Sequence, residues 1–428
     1  MTREPPSSEQ RALTHELVPP ADLAYWQERA GRADEQDPLG AWRDQFEPLP
    51  PDVVAYLDGN SLGRIPKGVT EAMQRFLRDQ WGGRLIRGWG EGWMDLPAAL
   101  GDRLAKAALG AAPGQVVVGE STTVLLYKLA RAALEARPGR RTILVDTDNF
   151  PTDRYLAEGI ARERGCRLRW VTTDPESGLT AEQVAANLDD DVALVVASHV
   201  SYRSAWLADM QAVTALAHDA GALVLWDVSH SVGSVPIRLD DLEVDLAAGC
   251  TYKYLNGGPG SPAFAYVRSE LQEVLRQPIW GWLGSAEPFA MGPGYVPAPG
   301  VKSMLSGTPH VVSMIALGVA LGHLEQAGIE AVREKSVALT SFAVELADAW
   351  LAGEAVQVAS PRDPDRRGGH VTLRRADFES VKDRLWSRGV IPDFRFPDGI
   401  RLGLAPLSTS FAELLQAMVI FYDEVRRR

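Results

Sequence analysis

Seven short apolar runs rich in β-branched residues follow one another between residues 115 and 267, and they constrain the fold more than any other feature of the chain. Most are separated by segments with a helical pattern. Runs this continuously apolar are typical of strands that are buried on both faces of a mostly parallel sheet. The runs occupy residues 116–118, 142–145, 168–171, 192–197, 222–226, 246–248 and 263–267.

These runs predict an α/β domain with a mostly parallel seven-stranded sheet and helices on both faces, in which the last two strands can form a hairpin. Ligands of such domains bind beyond the carboxyl ends of the strands. After residue 309 two long helical patterns and short strand-like pieces predict a smaller α+β domain. We therefore divide the chain into an N-terminal arm (1–52), a large domain (53–308) and a small C-terminal domain (309–428).

Composition and charge limit which classes of function the protein can have. The 428 residues are 46% hydrophobic and 23% charged, which suffices for two domain cores. The net charge of -12 argues against a nucleic-acid partner. The sequence has no signal peptide and no apolar run of about 18 residues, which predicts a soluble protein with no membrane segment. Cys166 and Cys250 show no metal-ligand spacing, and their small number favours a reducing, cytoplasmic compartment.

Lys253 lies just beyond the run at 246–248 and just before the glycines of the stretch 257–260. Glycines let the backbone approach a ligand, and a lysine at a buried strand end suits an amine that attacks a carbonyl. A single lysine in such a place is more often a capping or solvent-facing residue. Asp227, however, ends the preceding strand, where a carboxylate can keep a pyridine nitrogen protonated. The pair predicts a fold-type I pyridoxal phosphate enzyme.

Two other strand ends carry residues that suit such a cofactor. Thr122 and Thr123 follow the run at 116–118 at a predicted helix start, where free N–H groups and hydroxyls favour a phosphate, although an ordinary helix cap explains them equally well. Phe150 and Asp153 follow the run at 142–145 and offer a ring for stacking and a carboxylate. Neither a GxxxxGK[ST] nor a GxGxxG motif occurs, so a nucleotide is not favoured.

Several motifs in one order resemble the kynureninase family. They are DGNSLG at 58–63, FPTD at 150–153, WDVSH at 226–230, SVG at 231–233 and YKYLNGGPG at 252–260. The resemblance extends over residues 53–407, and the combination is far more specific than any single motif. The chain departs from the family pattern at Leu125 and at residues 200–205. These differences concern substrate preference rather than the lysine, the aspartate or the phosphate contacts.

The resemblance implies a pyridoxal 5'-phosphate enzyme of tryptophan catabolism, in the kynurenine pathway that also leads to NAD biosynthesis. It would hydrolyse L-kynurenine to anthranilate and L-alanine. Lys253 would bind the cofactor covalently and act as the base, Asp227 would pair with the ring nitrogen, and Tyr252 would protonate the leaving carbon. The residues implied to hold the cofactor are Thr122, Thr123, Phe150, Asp153, Ser198, Asp227, His230, Tyr252 and Lys253.

The resemblance also implies a homodimer with shared active sites, because Trp282 and Thr308 match residues that reach the phosphate from the partner subunit. Arg401 is expected to bind the substrate carboxylate through two parallel hydrogen bonds. The other residues implied to contact the substrate are Asn60, Ser61 and Trp89. Trp89 and the pair Gly307–Thr308 stand where other members carry polar groups, which predicts a preference for L-kynurenine over 3-hydroxykynurenine.

The segment at 81–93 contains three tryptophans and five glycines, and this composition predicts a loop that builds a binding surface.

Two other functions remain open. The stretch SGTP at 306–309 also resembles class V pyridoxal phosphate enzymes such as cysteine desulfurases and aminotransferases, although neither cysteine is placed as a mobile nucleophile. A binding protein that has lost its chemistry is disfavoured by the presence of both Lys253 and Asp227.

Overall fold

The computed structural model describes residues 19–427, so the first 18 residues of the predicted arm lie outside the described residues. The strands are β1 (Ala55–Leu57), β2 (Val116–Val118), β3 (Thr142–Asp146), β4 (Arg167–Val171), β5 (Val192–Ser198), β6 (Leu223–Asp227), β7 (Leu246–Gly249), β8 (Phe264–Val267), β9 (Gln357–Val358), β10 (His370–Arg374), β11 (Val390–Arg395) and β12 (Gly399–Gly403). The α-helices are α1 (Leu23–Glu35), α2 (Val69–Arg75), α3 (Leu96–Leu104), α4 (Thr122–Glu135), α5 (Pro151–Arg164), α6 (Ala181–Ala185), α7 (Met210–Asp219), α8 (Val311–Ala327), α9 (Ile329–Trp350), α10 (Phe378–Ser387) and α11 (Phe411–Arg426).

The seven predicted strands form one sheet in the order β2-β8-β7-β6-β5-β3-β4, which confirms the predicted fold class. The neighbouring pairs from β7 to β4 are parallel, whereas β8 is antiparallel to both β7 and β2. Because the parallel strands end at the same edge, their last residues become neighbours. Ser198 at the end of β5 lies opposite Asp227 at the end of β6.

Both faces of this sheet are buried, as its continuously apolar strands predict. Successive residues of a strand point to opposite faces, and in β5 the side chains of Val195 and Ala197 enter one hydrophobic cluster while Leu194 and Val196 enter another. Helices on each side complete these two clusters. The sheet is therefore fixed from both sides, and its carboxyl edge is a rigid platform for polar residues.

A second sheet has the strand order β1-β11-β12-β10-β9 and packs on a third hydrophobic cluster. Helix α1 of the predicted arm joins this cluster through Trp26, and Trp350 of α9 donates its indole N–H to Asp22 at 2.9 Å. Strand β1, which the predicted boundaries assign to the large domain, pairs in parallel with β11. The start of that domain thus belongs structurally to the second sheet, while the boundaries themselves stay predictions.

The tryptophan-rich segment 81–93 is only partly the loop that its glycine content predicts, because residues 90–93 form turns whereas the residues before them are helical. Residues Phe76–Gly82 form a π-helical turn and Leu85–Trp89 form a 3-10 helix. A side chain at Gly88 would collide with the ring of Trp93, so the glycine permits close packing of an aromatic ring rather than flexibility. Within residues 19–427 no single helix is long and apolar enough to cross a membrane; α8 and α9 meet that test only together, with an 84° bend between them.

Candidate active site

The lysine turn follows β7 and is covered by the turn after β1. The N–H of Gly63 donates to the carbonyl of Tyr252 at 2.8 Å, and the N–H of Asn256 donates to the carbonyl of Lys253 at 2.9 Å. A side chain at Gly63 would bring a Cβ within 2.5 Å of the Lys253 carbonyl oxygen. Two motifs that are distant in sequence therefore fit against each other only because glycine occupies position 63.

A cavity at the carboxyl edge of the large sheet brings together the predicted cofactor residues of this chain. Its walls include Thr122, Thr123, Phe150, Asp153, Ser198, Asp227, His230, Tyr252 and Lys253. The location agrees with the rule for ligands of parallel sheets. Sequence reasoning missed other wall residues, among them Tyr202, whose ring packs edge to face on Phe150 with centroids 5.3 Å apart.

Lys253 points at His230, with 2.9 Å between its Nζ and Nε2 of the imidazole. The same Nζ lies 5.8 Å from the centroid of the Phe150 ring. Burial, and next the positive charge of Lys253, hold the pKa of His230 well below its ordinary value. The imidazole is therefore neutral, and its tautomer decides whether Nε2 accepts a hydrogen bond from Lys253 Nζ or donates one to it.

Two buried carboxylates face the cavity. Asp227 accepts a hydrogen bond from the N–H of Ser229 at 2.8 Å through Oδ1. Asp153, in the first turn of α5, has no hydrogen-bond partner on either carboxylate oxygen. Burial, and next the charge of Asp227, raise the pKa of Asp153 well above its ordinary value. Buried carboxylates with free acceptors match a ligand that carries an N–H or a positive charge, such as a protonated pyridine ring.

The opposite side of the cavity suits an anion. Thr122 and Thr123 are the first residues of α4, a helix of 14 residues, and the hydroxyl of Ser121 caps it by accepting the N–H of Val124 at 3.4 Å. A helix N-terminus presents free N–H groups and a partial positive charge. Ser198 donates its hydroxyl to the Asn149 side chain at 2.7 Å. Together with the carboxylates and Lys253, these groups fit a phosphorylated pyridine cofactor.

Arg401 lies behind this cavity rather than in its wall. It is completely buried, and Nε donates to Asp393 at 2.8 Å while Nη1 donates to the carbonyl of Tyr202 at 2.6 Å. Nη2 donates to the hydroxyl of Ser61 at 3.0 Å and also to Asp393. The guanidinium thus joins the second sheet to Tyr202 at the cavity. Asn60 is also fully buried, and neither polar atom of its amide has a partner.

The remaining predicted residues surround a different feature. Trp89 and Thr308 line a cavity of about 630 Å³ whose walls are mainly apolar and include Trp81 and Trp93. Trp282 packs edge to face on Trp89, with ring centroids 6.2 Å apart. These residues do not line the Lys253 cavity of the same chain. Within one chain, the structure therefore does not bring Trp89, Trp282 and Thr308 to the lysine.

Comparison with known proteins places these features in a family. Residues 332–421 match the family model described as the kynureninase C-terminal domain. The chain is 40% identical over 402 residues to a kynureninase of Pseudomonas fluorescens, which covers 92% of this chain and 94% of that protein. It is 41% identical over 403 residues to a kynureninase of Burkholderia pseudomallei, with the same two coverages.

Solved structures with similar folds are more distant in sequence. The cysteine desulfurase CsdA of Escherichia coli superposes with a TM-score of 0.76 at 19% identity, covering 90% of this chain and 98% of that one. A variant of C-DES with glycine covalently linked to its PLP cofactor gives a TM-score of 0.75 at 19% identity, covering 88% and 98%. At this identity the likeness shows the fold alone.

Proposed function

The chain belongs to the kynureninase family, and on that premise we propose that it hydrolyses L-kynurenine to anthranilate and L-alanine with pyridoxal 5'-phosphate. The observation that carries the proposal is the cavity at the sheet edge, whose walls combine Lys253, Asp227 and Asp153 with the first two residues of α4. Identity of 40% over nearly the whole chain to a kynureninase supports the same reaction. Overall, one water molecule is added as the bond between Cβ and Cγ of the substrate breaks.

The cofactor supplies an electron sink for the carbanion that forms at the substrate α-carbon. Lys253 would hold it covalently, the carboxylate of Asp227 would keep its ring nitrogen protonated, and Phe150 would offer its ring for stacking. The first turn of α4 would hold the phosphate. Asp153 would support the cofactor beside them, because both of its buried carboxylate oxygens have no protein partner.

Proton transfer falls to Lys253 and Tyr252. Lys253 removes the α-proton of the substrate as its general base, and the neighbouring His230 orients the amine through their 2.9 Å contact. Burial, and next the neighbouring Cys250, raise the pKa of the Tyr252 phenol above its ordinary value, so the phenol keeps its proton at neutral pH. A protonated phenol at the cavity wall suits the step in which the leaving carbon receives a proton.

The proposal is tested by adding L-kynurenine to the purified, cofactor-loaded protein and following the fluorescence of anthranilate. Anthranilate and alanine in equal amounts are expected. The same preparation with L-cysteine and a thiol reductant tests for a desulfurase, which would release alanine and pass the sulfur to a thiol as a persulfide that the reductant converts to sulfide. Alanine from cysteine without anthranilate from kynurenine would replace the proposed function by that of the structural neighbours.

A homodimer with shared active sites is part of the proposal. Trp282 and Thr308 do not line the Lys253 cavity of their own chain, and the mainly apolar cavity around Thr308 offers a surface for association. Trp282 and Thr308 of one copy then reach the phosphate in the other. Sedimentation at assay concentrations is expected to give a dimer, and a fully active monomer would contradict this assignment.

Preference for L-kynurenine over 3-hydroxykynurenine rests on the apolar character of the residues around Trp89. Its indole packs on Trp93 and Trp282, and Gly307 beside Thr308 has no side chain. A buried phenol hydroxyl without a partner costs about 1–3 kcal/mol, or roughly one to two powers of ten in specificity. Comparing kcat/KM for the two substrates tests this, and equal values would refute it.

A cytoplasmic location is also proposed. Cys166 and Cys250 are both free thiols in the structure. Free thiols persist in a reducing compartment. Fractionation of the producing cells tests the location, which is independent of the reaction.

A further inference from the structure

Lys128 is a buried lysine for which the proposed reaction gives no role. It lies in the second turn of α4, and its side chain is fully buried. Its Nζ donates to a carboxylate oxygen of Glu120 at 3.0 Å, to the carbonyl of Met304 at 2.8 Å and to the hydroxyl of Ser306 at 2.7 Å. An ammonium group has three N–H donors, so each donor has its own acceptor.

The ammonium of Lys128 determines direction rather than stability. Moving a charge out of water is costly, and well-packed apolar side chains often stabilise a fold as well as a buried ion pair does. Burial accordingly lowers the pKa of Lys128, and the hydrogen bond to Glu120 opposes that shift. Three donors in a fixed geometry instead join α4 and the turn before it to residues 304–306. Lys128 thereby fixes the position of that segment relative to α4.

Ser306 extends this constraint to the backbone on both sides of Trp282. Its hydroxyl donates to the carbonyl of Ile279, and its own carbonyl accepts the N–H of Leu283 at 3.1 Å. A side chain at Gly281 would bring a Cβ within 2.3 Å of the Ser306 carbonyl oxygen, so the two segments are in direct backbone contact. The position of Trp282 therefore depends on Ser306.

The same serine precedes the exposed end of its segment. Ser306 is buried, whereas Thr308, two positions later, is exposed. Thr308 and Trp282 are the residues that the proposed function assigns to the phosphate in the other copy, and neither lines the cavity at the sheet edge of its own chain. Lys128 thus holds, through one serine, both residues that a chain offers to a second copy.

We propose that Lys128 is a positioning residue for the shared active site, which fixes Trp282 and Thr308 of one copy where they reach the cofactor phosphate in the other. The inference rests on the dimer with shared sites in the proposed function. Because Lys128 acts through residues that cross the interface, its loss should weaken the cofactor site of the other copy and spare the site of its own chain.

The first test compares Lys128→Met, which removes the ammonium and keeps an unbranched apolar side chain, with Lys335→Met as a control. Lys335 of α9 is also buried, with 3% of its side chain exposed, and forms an ion pair with Asp37 at 2.6 Å. It lines neither the Lys253 cavity nor the cavity around Thr308. Both variants are prepared without cofactor and titrated with pyridoxal 5'-phosphate, and the absorbance of the lysine-bound form reports binding.

We expect the dissociation constant to increase by about tenfold or more in Lys128→Met, as for the loss of one hydrogen bond to a charged group. Lys335→Met should keep the native constant. An unchanged constant in Lys128→Met would overturn the inference, as would an equal increase in both variants.

Mixed dimers separate an effect across the interface from a general structural effect. Two subunits with different tags are co-expressed, and Lys253→Ala in one of them confines the lysine-bound cofactor to the other. With Lys128→Met in the Lys253→Ala subunit, binding should weaken by about tenfold or more. With Lys128→Met in the subunit that keeps Lys253, binding should stay native. Equal weakening in both dimers, or weakening in the second alone, would overturn the inference.

Ser306→Ala provides a second variant if Lys128→Met does not fold. It removes one acceptor of Lys128 and the link to Ile279, so it should give the same asymmetry between the two mixed dimers, and its absence would overturn the inference. The titration needs no turnover, so it decides the inference even if the native chain forms no anthranilate, which would refute the proposed reaction. A monomeric native enzyme that forms anthranilate would overturn the inference and leave the reaction in place.

Discussion

Arg401→Lys tests whether the buried guanidinium serves the substrate or only the fold. In the structure Arg401 donates to Asp393, to the carbonyl of Tyr202 and to the hydroxyl of Ser61. These bonds use four of its five N–H groups, because Asp393 accepts from both Nε and Nη2. A lysine keeps the charge but has one nitrogen, so it cannot reach all three partners.

Two separate losses follow from this geometry. Each lost hydrogen bond to a charged group costs about 1.5–3 kcal/mol, so the free energy of unfolding should fall by roughly 2–5 kcal/mol. If Arg401 also binds the substrate carboxylate, exchanging its guanidinium for a single ammonium charge should lower kcat/KM by at least about tenfold, or about 1.4 kcal/mol. The absorbance of the bound cofactor should not change, because Arg401 is not in the wall of its cavity.

Arg367→Lys is a matched control. Arg367 is 1% exposed and donates to the carbonyls of Pro361 and Arg362 and to the hydroxyl of Ser341. None of these residues lines the Lys253 cavity. Urea unfolding and steady-state kinetics of both variants separate the two effects. Equal stability losses with unchanged kcat/KM in both would show that Arg401 is structural and does not bind the substrate.

Three further predictions concern single residues of the large sheet. Lys253→Ala should abolish anthranilate formation while the unfolding transition stays intact, because the interactions of Nζ with His230 and with the face of Phe150 lie within the cavity; near-native activity would remove Lys253 from the mechanism. Asp227→Asn should lower kcat by several powers of ten with the cofactor still bound, because an amide does not keep a pyridine nitrogen protonated, and unimpaired turnover would contradict that role. Burial raises the pKa of Asp146 from 3.8 to about 7, so the folded state binds an extra proton between these values and its stability should fall as pH rises from about 4 to 7. Asp146→Asn should therefore gain stability over the native chain across that range in urea unfolding, and a difference independent of pH would refute the assignment.

The strands of the large sheet could be predicted because burial on both faces leaves a direct signature in the sequence. The run at 192–197 consists of apolar residues only, and it becomes β5 (Val192–Ser198). The polar residues that follow such runs can also be recognised in the sequence. They are expected to lie close together, because the strand ends of a parallel sheet share an edge. For this reason the sequence alone pairs Asp227 with Lys253.

The parts that could not be predicted depend on contacts between distant segments. Strand β1 has three residues, and its partner Val390 in β11 lies in another part of the chain. The acceptor of Arg401 is Asp393, which no motif identifies. The 3-10 helix at Leu85–Trp89 was missed because packing of Trp93 on Gly88 overrides the low helix propensity of glycine. In each case tertiary contacts decide the local structure.

The DGNSLG motif explains why the site needs both sheets. It begins directly after β1, which is fixed in the second sheet, yet Gly63 donates to the carbonyl of Tyr252 next to Lys253. Ser61 of the same motif accepts from Arg401. A displacement of the second sheet relative to the first would therefore change the surroundings of Arg401 and of the lysine turn together. Substitutions at Gly63 should accordingly impair cofactor binding and substrate binding at once, whereas substitutions at Ser61 should act mainly through Arg401.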